Sequence, residues 1–187
     1  MTLDARQDTL LKLNLGCGGN KIEGFLNVDK FGEPDFQWDL EVFPWPWADN
    51  SVGHVVMSHV LEHLGADPDV FIGIMKELHR VCAPGAIIEI AVPHWRHDNF
   101  TGDPTHVRVI NAQVMSLFDA EQCRAWQEQG FANTPLALYH GVDFKLVAHK
   151  KVPDWRYEKV PAQNLEQLER DLNNVIAEIR MVLEVRK

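Results

Sequence analysis

The fold is decided near the start of the chain, by the stretch LLKLNLGCGGNKIEGFLNVDK at residues 10–30. Two short apolar runs, each typical of a strand, flank a cluster of glycines, and the second run ends at Asp29. Glycines let the backbone turn sharply and approach a ligand at the carboxyl edge of a sheet, where open α/β sheets bind their ligands. A carboxylate at the end of the next strand can accept hydrogen bonds from a ribose diol. The stretch therefore predicts a site for a nucleotide-like cofactor.

The spacing within the glycine cluster limits which nucleotide can bind. The dinucleotide pattern GxGxxG needs a small residue three positions after Gly18, where this chain has Lys21. The phosphate-binding pattern GxxxxGK[ST] does not occur in the sequence. What remains is a ribose site without a signal for phosphate. A tight turn that binds nothing is the alternative that these residues leave open.

Strand and helix signals alternate along the rest of the chain, which predicts an α/β fold. A helix is predicted over 67–81, where apolar residues recur at helical spacing before the sequence APG. Asn111 and Asp119 are predicted to cap two consecutive short helices. The run 175–185 can be a last strand or an extension of the short helix predicted at 164–172. The other predicted strands are 10–15, 25–29, 35–39, 53–58, 86–92 and 142–152.

Composition narrows the class of protein and of partner. The chain has 187 residues, 45% of them hydrophobic, and a formal net charge of -9 from 18 basic and 27 acidic residues. This size fits one domain over 1–187, and the acidic balance argues against nucleic acid or an anionic membrane as a partner. The N-terminal MTLDARQD lacks the positive charge of a signal peptide, and no apolar run reaches membrane-spanning length. We therefore expect a cytoplasmic protein that acts on a small molecule, and the sequence makes no prediction of an oligomeric state.

Further motifs follow the glycine stretch in a fixed order: LNLGCGGN, NVD, WDLEVFPWPWADNSVGHVVMSHVLEHL, MKELHRVCAPGAIIEIAVP and GDPTHVR. Together, over residues 11–118, these motifs resemble the class I S-adenosylmethionine-dependent methyltransferases. The resemblance implies a doubly wound, mostly parallel, seven-stranded Rossmann-like sheet whose final hairpin is antiparallel. It also implies an enzyme that uses S-adenosyl-L-methionine to methylate an acceptor.

The same resemblance implies how the cofactor is held. The glycine turn passes beneath the methionine part, Asp29 holds the ribose hydroxyls, and Asp39 with Leu40 lies against the adenine. Ser58 and His59, at the end of the fourth predicted strand, face the methyl region. The predicted cofactor residues are Gly16, Cys17, Gly18, Asp29, Lys30, Asp39, Leu40, Ser58 and His59. Three tryptophans are expected in the core and on the adenine side, namely Trp38, Trp45 and Trp47.

The chain departs from the family pattern in four places. Asn20 stands at the third glycine of GxGxG, and asparagine visits positive φ more easily than most residues. Gly53 replaces an acid, and Ala86 replaces the second glycine of a PGG motif. The interval between Gly16 and Asp29 leaves little room for the usual first helix, so a shortened cofactor loop is predicted.

The candidate chemistry lies in a loop predicted at 93–110, with the sequence PHWRHDNFTGDPTHVR at its start. Methyl transfer requires alignment of the nucleophile and exclusion of water, and a hydroxyl nucleophile also benefits from losing its proton. Histidine titrates near neutrality, so a histidine-rich loop favours an oxygen target over nitrogen. His106 is predicted as base or substrate anchor, His94 or His97 as a substitute for it, Asp103 as orienter and Arg108 as an anion contact. Capping of the loop by these side chains is the structural alternative. A metal held by the three histidines is a further, less favoured alternative, because no spacing here is diagnostic of a metal site.

Two other functions remain possible from the residues. HVLEH at 59–63 matches the HxxEH pattern of inverted zinc peptidases, in which both histidines share one face of a helix beside a glutamate base. So short a motif often occurs by chance. A non-catalytic domain of the same fold, which binds the cofactor without turnover, is the other alternative.

Overall fold

The protein contains one seven-stranded sheet, seen in a computed structural model that describes residues 10–187. The order across the sheet is β3-β2-β1-β4-β5-β7-β6, with parallel pairing from β3 to β5 and antiparallel pairing of β7 with both β5 and β6. This confirms the predicted sheet and its antiparallel final hairpin. The prediction that residues 1–8 carry no signal peptide lies outside the described residues. The strands are β1 (Leu11–Leu15), β2 (Leu26–Asp29), β3 (Phe36–Gln37), β4 (Val52–Ser58), β5 (Cys82–Pro93), β6 (Phe144–Pro153) and β7 (Ile176–Val185).

Six α-helices and two short 3-10 helices connect the strands in the described part of the chain. The described helices include none long and apolar enough to cross a membrane. The 3-10 helices are Leu61–His63 and Trp155–Tyr157. The α-helices are α1 (Pro68–Val81), α2 (Asp98–Thr101), α3 (Ala112–Ser116), α4 (Ala120–Glu128), α5 (Leu136–His140) and α6 (Ala162–Asp171).

The longest helix, α1, forms where the sequence predicts it. The Asp67 carboxylate accepts a hydrogen bond from the Asp69 backbone N–H (2.8 Å), and Pro68 occupies the first turn, where no N–H partner is needed. One face of the helix is buried against the sheet through Ile74 and Leu78. The predicted caps of α3 and α4 are also confirmed, by Asn111 and Asp119.

The run at 176–185 is a strand and not a helical extension. Its alternate residues Ile179, Met181, Leu183 and Val185 are each at most 3% exposed, which is the two-residue period of a strand with one buried face. Another boundary differs from the prediction, because β5 begins at Cys82, ahead of the APG sequence that was expected to precede it.

The segment between β1 and β2 is short and contains no helix, as predicted. Buried amide side chains hold it instead. Asn14 Nδ2 donates to Asn27 Oδ1 (2.9 Å), which also accepts from the Ile22 backbone N–H (2.8 Å). Lys21 Nζ donates to Asp35 Oδ1 (2.9 Å), whose carboxylate also binds Asn27. The cofactor loop is therefore fixed by side-chain hydrogen bonds.

Candidate cofactor and acceptor site

A cavity of about 450 Å³ lies at the carboxyl ends of β1 to β4. This is the edge of an open parallel sheet at which ligands bind. The predicted cofactor residues that line it are Gly16, Gly18, Asp29, Lys30, Asp39, Leu40 and His59. The other lining residues are Phe31, Trp38, Val60, His63, Leu64 and Thr105.

The glycine turn after β1 requires two left-handed residues. Gly16 has a φ of 68°, and a Cβ there would lie 2.1 Å from Val60 Cγ2, so the turn packs directly against the chain that leaves β4. Gly18 has a φ of 49°, but a Cβ there would meet no atom within 4 Å. The first glycine therefore serves packing, and the second leaves open space at the cavity wall.

Asp29, the last residue of β2, fixes the glycine turn. Its Oδ2 accepts a hydrogen bond from the Gly18 backbone N–H (2.8 Å), and its Oδ1 accepts from the Phe31 backbone N–H (2.9 Å). Each carboxylate oxygen can accept a second hydrogen bond. The side chain can therefore bind ligand hydroxyls while it holds the loop.

The residues around β3 form the next part of the wall. Asp39 Oδ1 accepts from the Glu41 backbone N–H (3.0 Å), and Asp39 Oδ2 lies 3.9 Å from Lys30 Nζ. Trp38 lines the cavity, and its buried Nε1 has no hydrogen-bond partner among the described residues. A buried donor of this kind suits a ligand that supplies an acceptor. Trp45 and Trp47 are buried in the core.

Two predicted cofactor residues do not line the cavity. The Cys17 thiol is buried, and its backbone N–H donates to Val28 O (3.0 Å). Burial raises the pKa of the Cys17 thiol, and the nearby charge of Asp29 adds to the effect, so the thiol stays protonated at neutral pH. Ser58 ends β4 with an exposed side chain outside the lining.

The two histidines at the start of the predicted substrate loop are buried and engaged elsewhere. His94 stacks on Trp95 with ring centroids 3.9 Å apart, and its Nε2 lies 3.2 Å from Glu169 Oε1. Burial lowers the pKa of His94. His97 caps α2 through its Nδ1, and its Nε2 lies 3.2 Å from Asp154 Oδ2. Neither histidine lines the cavity.

Arg108 does not line the cavity either. Its Nη2 donates to Gly65 O, and its guanidinium lies 4.3 Å from the centre of the Phe71 ring. Partial burial lowers the pKa of Arg108. The side chain therefore ties the loop to the segment before α1, by a hydrogen bond and a cation–π contact.

Two histidines line the cavity, the predicted cofactor residue His59 and also His63, which the sequence indicated only in the zinc-peptidase alternative. His63 Nδ1 lies 2.9 Å from Thr105 Oγ1, and Thr105 donates its hydroxyl hydrogen to Asp103 Oδ1 (2.6 Å). The ring of His106 packs against that of His63, with centroids 4.5 Å apart. Both motifs were visible in the sequence, HVLEHL and GDPTHVR, but only the folded chain brings them together.

The HxxEH motif does not form the helix that a zinc peptidase needs. His59 has a φ of 56°, and a short 3-10 helix begins only at Leu61, so His59 and His63 do not share a helical face. His59 Nε2 instead lies 2.8 Å from Glu178 Oε2, and its Nδ1 lies 3.5 Å from Glu62 Oε1. Glu62 and then Glu178 raise the pKa of His59.

A family model described as a methyltransferase domain matches residues 29–90. The matched interval includes Asp29, Asp39 and His59 of the cavity wall, with all of β4 and α1. Over this interval, about a third of the chain, the sequence is similar to methyltransferase domains. No curated protein matches the chain.

Solved structures share the fold of this chain. A SAM-dependent methyltransferase from Archaeoglobus fulgidus is 18% identical, with 95% of this chain and 87% of that chain covered and a TM-score of 0.61. An S-adenosylmethionine-dependent methyltransferase from Mesorhizobium loti is 13% identical, with coverage of 94% and 91% and a TM-score of 0.50. The 1,6-didemethyltoxoflavin-N1-methyltransferase of Burkholderia thailandensis, solved with its substrate and S-adenosylhomocysteine, is 12% identical, with coverage of 95% and 71% and a TM-score of 0.51.

Proposed function

We propose that this protein is an S-adenosylmethionine-dependent methyltransferase that methylates a hydroxyl oxygen of a small-molecule acceptor, bound at the end of the cavity formed by His63 and Thr105. The observation that carries the proposal is the joining of the glycine turn, Asp29 and His63 in one cavity. Its volume, about 450 Å³, falls within the range of small-molecule sites, roughly 300–1,000 Å³. The net charge of -9 disfavours a nucleic-acid substrate.

The residues of the wall fit the cofactor. Open space beside Gly18 admits the methionine part, the free lone pairs of Asp29 suit the ribose hydroxyls, and the unpaired Nε1 of Trp38 suits an acceptor atom of the ligand. Lys30, Asp39 and Leu40 would complete the nucleoside side. In this assignment Gly16 and Cys17 act through their backbone, because the first is packed against Val60 and the second has a buried thiol.

The reaction needs alignment and a way to remove the acceptor's proton. The cofactor supplies an activated methyl group, so the protein's main task is to hold the nucleophile in line and exclude water. His63 is the titratable side chain on the acceptor side of the cavity, and Thr105 with Asp103 fixes its ring. A hydroxyl placed there can lose its proton as it attacks, whereas a neutral amine has less need of such help. This supports an oxygen target.

The direct test is a calorimetric titration with S-adenosylhomocysteine, with NAD as the control ligand, followed by an acceptor screen. Each hydroxylated acceptor is paired with its amine analogue, and methylated products are detected by mass. We expect micromolar binding of S-adenosylhomocysteine alone and methylation of hydroxyl acceptors that falls at least tenfold in His63→Ala. Methylation of the amines alone would overturn the oxygen assignment. Binding without turnover on any acceptor would favour the non-catalytic alternative.

A further inference from the structure

Glu62 is a buried carboxylate without a hydrogen-bond partner. Its side chain is 1% exposed, and neither Oε1 nor Oε2 has a hydrogen-bond partner among the described residues. The one cationic neighbour within ion-pair distance in the described chain is His59, whose Nδ1 is 3.5 Å from Oε1. Burying a carboxylate without compensation is costly, and buried charges in proteins are normally paired or bound to metal ions. His59 offsets the charge of Glu62 from one side only, and both carboxylate oxygens still lack a hydrogen bond, so Glu62 can accept a further ligand.

Two imidazoles stand beside this carboxylate. Glu62, His63 and His106 each offer one ligand atom, and these atoms all lie within 4.8 Å of one another. The residues come from different motifs, which are joined by a hydrogen bond from the Val107 backbone N–H to Glu62 O (2.9 Å). The backbone therefore holds the loop that carries His106 against the 3-10 helix that carries the other two.

Both rings are oriented in the way that metal-binding histidines are. His63 Nδ1 lies 2.9 Å from Thr105 Oγ1, which donates to Asp103, and His106 Nδ1 lies 2.8 Å from the carbonyl oxygen of Phe100. Thr105 donates its one hydroxyl hydrogen to Asp103, and the carbonyl of Phe100 can only accept. The Nδ1 atoms of His63 and His106 are therefore the donors in these two hydrogen bonds and carry the ring proton. Each Nε2 is then left with a free lone pair. A histidine ligand usually donates its other ring N–H to a carbonyl or a carboxylate-linked group, which fixes its tautomer.

We propose that Glu62, His63 and His106 bind one divalent transition-metal ion, and that this ion holds the acceptor hydroxyl. Two imidazoles and a carboxylate form a donor set that suits zinc and its neighbours, and three protein ligands leave coordination positions open. Metal–ligand bonds of about 2.0–2.2 Å draw the three side chains closer than they stand without the ion. His63 also lines the cavity, so an open position can face the acceptor.

The chemical consequence rests on the proposed function. A bound divalent ion lowers the pKa of a coordinated hydroxyl, so the acceptor's O–H proton is released to water, and His63 assists this step as a metal ligand and not as the proton acceptor. The oxygen then forms a bond to the methyl carbon while the C–S bond of the sulfonium breaks, and both electrons of that bond go to sulfur. The products are the methyl ether and neutral S-adenosylhomocysteine. No oxidant or reductant is required.

The test is a titration of chelator-dialysed protein with Zn²⁺ by calorimetry and with Co²⁺ by visible absorption. We expect one ion per chain, and a Kd weakened at least about tenfold in Glu62→Gln and in His106→Ala, with the fold checked by circular dichroism. His149→Ala is the matched control, because it removes an exposed histidine of β6 and should leave the Kd unchanged. Absence of stoichiometric binding, or equal binding by all three variants, would overturn the proposal.

The same samples are titrated with S-adenosylhomocysteine to separate this proposal from the proposed function. Metal binding that depends on Glu62 and His106, with cofactor binding retained in both variants, supports the two together. If the protein binds the cofactor and methylates the acceptor equally well with and without a chelator, the metal proposal is overturned and the methyltransferase function still stands. Metal binding without cofactor binding would contradict the proposed function and leave the metal site standing.

Discussion

The cofactor end of the cavity and the loop at 93–110 differ in how well the sequence predicted which residues line the cavity. Seven of the nine residues predicted to bind the cofactor line the cavity, whereas none of the five predicted to act on the acceptor does. Of those five, His106 packs against His63, with ring centroids 4.5 Å apart, and Asp103 binds Thr105. Residues at strand ends are positioned by the sheet, whereas loop side chains are positioned by their own hydrogen-bond partners.

The largest effect on the cofactor end is expected from Gly16→Ala. The new Cβ would lie 2.1 Å from Val60 Cγ2, and the residue has a φ of 68°, so overpacking and left-handed strain together should lower the free energy of unfolding by about 3 kcal/mol. Binding of S-adenosylhomocysteine should be lost. Urea denaturation and calorimetry measure the two effects.

A rescue variant tests the cause of that loss. Val60→Ala removes the two methyl groups nearest to the new Cβ, so the double variant should recover part of the stability in a double-mutant cycle. Purely additive losses would show that the contact with Val60 does not explain the effect of Gly16→Ala.

A smaller loss is expected from Asp29→Ala, which should weaken S-adenosylhomocysteine binding by more than about tenfold while the fold is retained. The carboxylate holds the Gly18 amide (2.8 Å), and charged hydrogen bonds of this kind contribute roughly 1.5–3 kcal/mol. Glu128→Ala removes an exposed carboxylate at the end of α4 and is the control. Equal affinities in the two variants would show that Asp29 does not contact the cofactor.

The sequence predicted a site residue well where the same residue also fixes the local backbone structure. The glycine turn, Asp29 and the caps at Asn111 and Asp119 were predictable, because each lies at a strand or helix end and shapes or binds the backbone there. His63 was not, because its role depends on Thr105, which is distant in the sequence. His94 and His97 have the same residue type as a catalytic base, but the folded chain buries both of them, and neither lines the cavity.

A subtler contrast separates Gly18 from Gly24. Both have positive φ, 49° and 78°, and a Cβ at either would meet no atom within 4 Å, but only Gly18 lines the cavity. Alanine at either position should therefore cost similar stability, roughly 1–2 kcal/mol. Only Gly18→Ala should weaken S-adenosylhomocysteine binding, by several-fold, because its methyl group enters the space assigned to the cofactor. Equal affinities in the two variants would show that the cofactor does not bind beside this turn.

No change in cofactor affinity is expected from Asp154→Asn, which alters the carboxylate that contacts His97 of the loop. The hydrogen bonds of Arg156, with a further contribution from His97, lower the pKa of Asp154 to about 2, whereas an unfolded aspartate titrates near 3.9. The ionised carboxylate therefore stabilises the fold above about pH 4, and this stabilisation is lost as the pH falls towards 2.

Asp154→Asn should thus be less stable than the wild type at pH 7, by about 1 kcal/mol because the half-exposed Arg156 is screened by water, and the difference should shrink below pH 4. Denaturation at several pH values measures it, with Glu128→Gln as control. The Kd for S-adenosylhomocysteine at pH 7 should not change, since neither His97 nor Asp154 lines the cavity. A weaker Kd would mean that the buried histidines help to position the cofactor. The cofactor end of the cavity and the loop at 93–110 would then differ in their distance from the ligand, and not in whether they affect its binding.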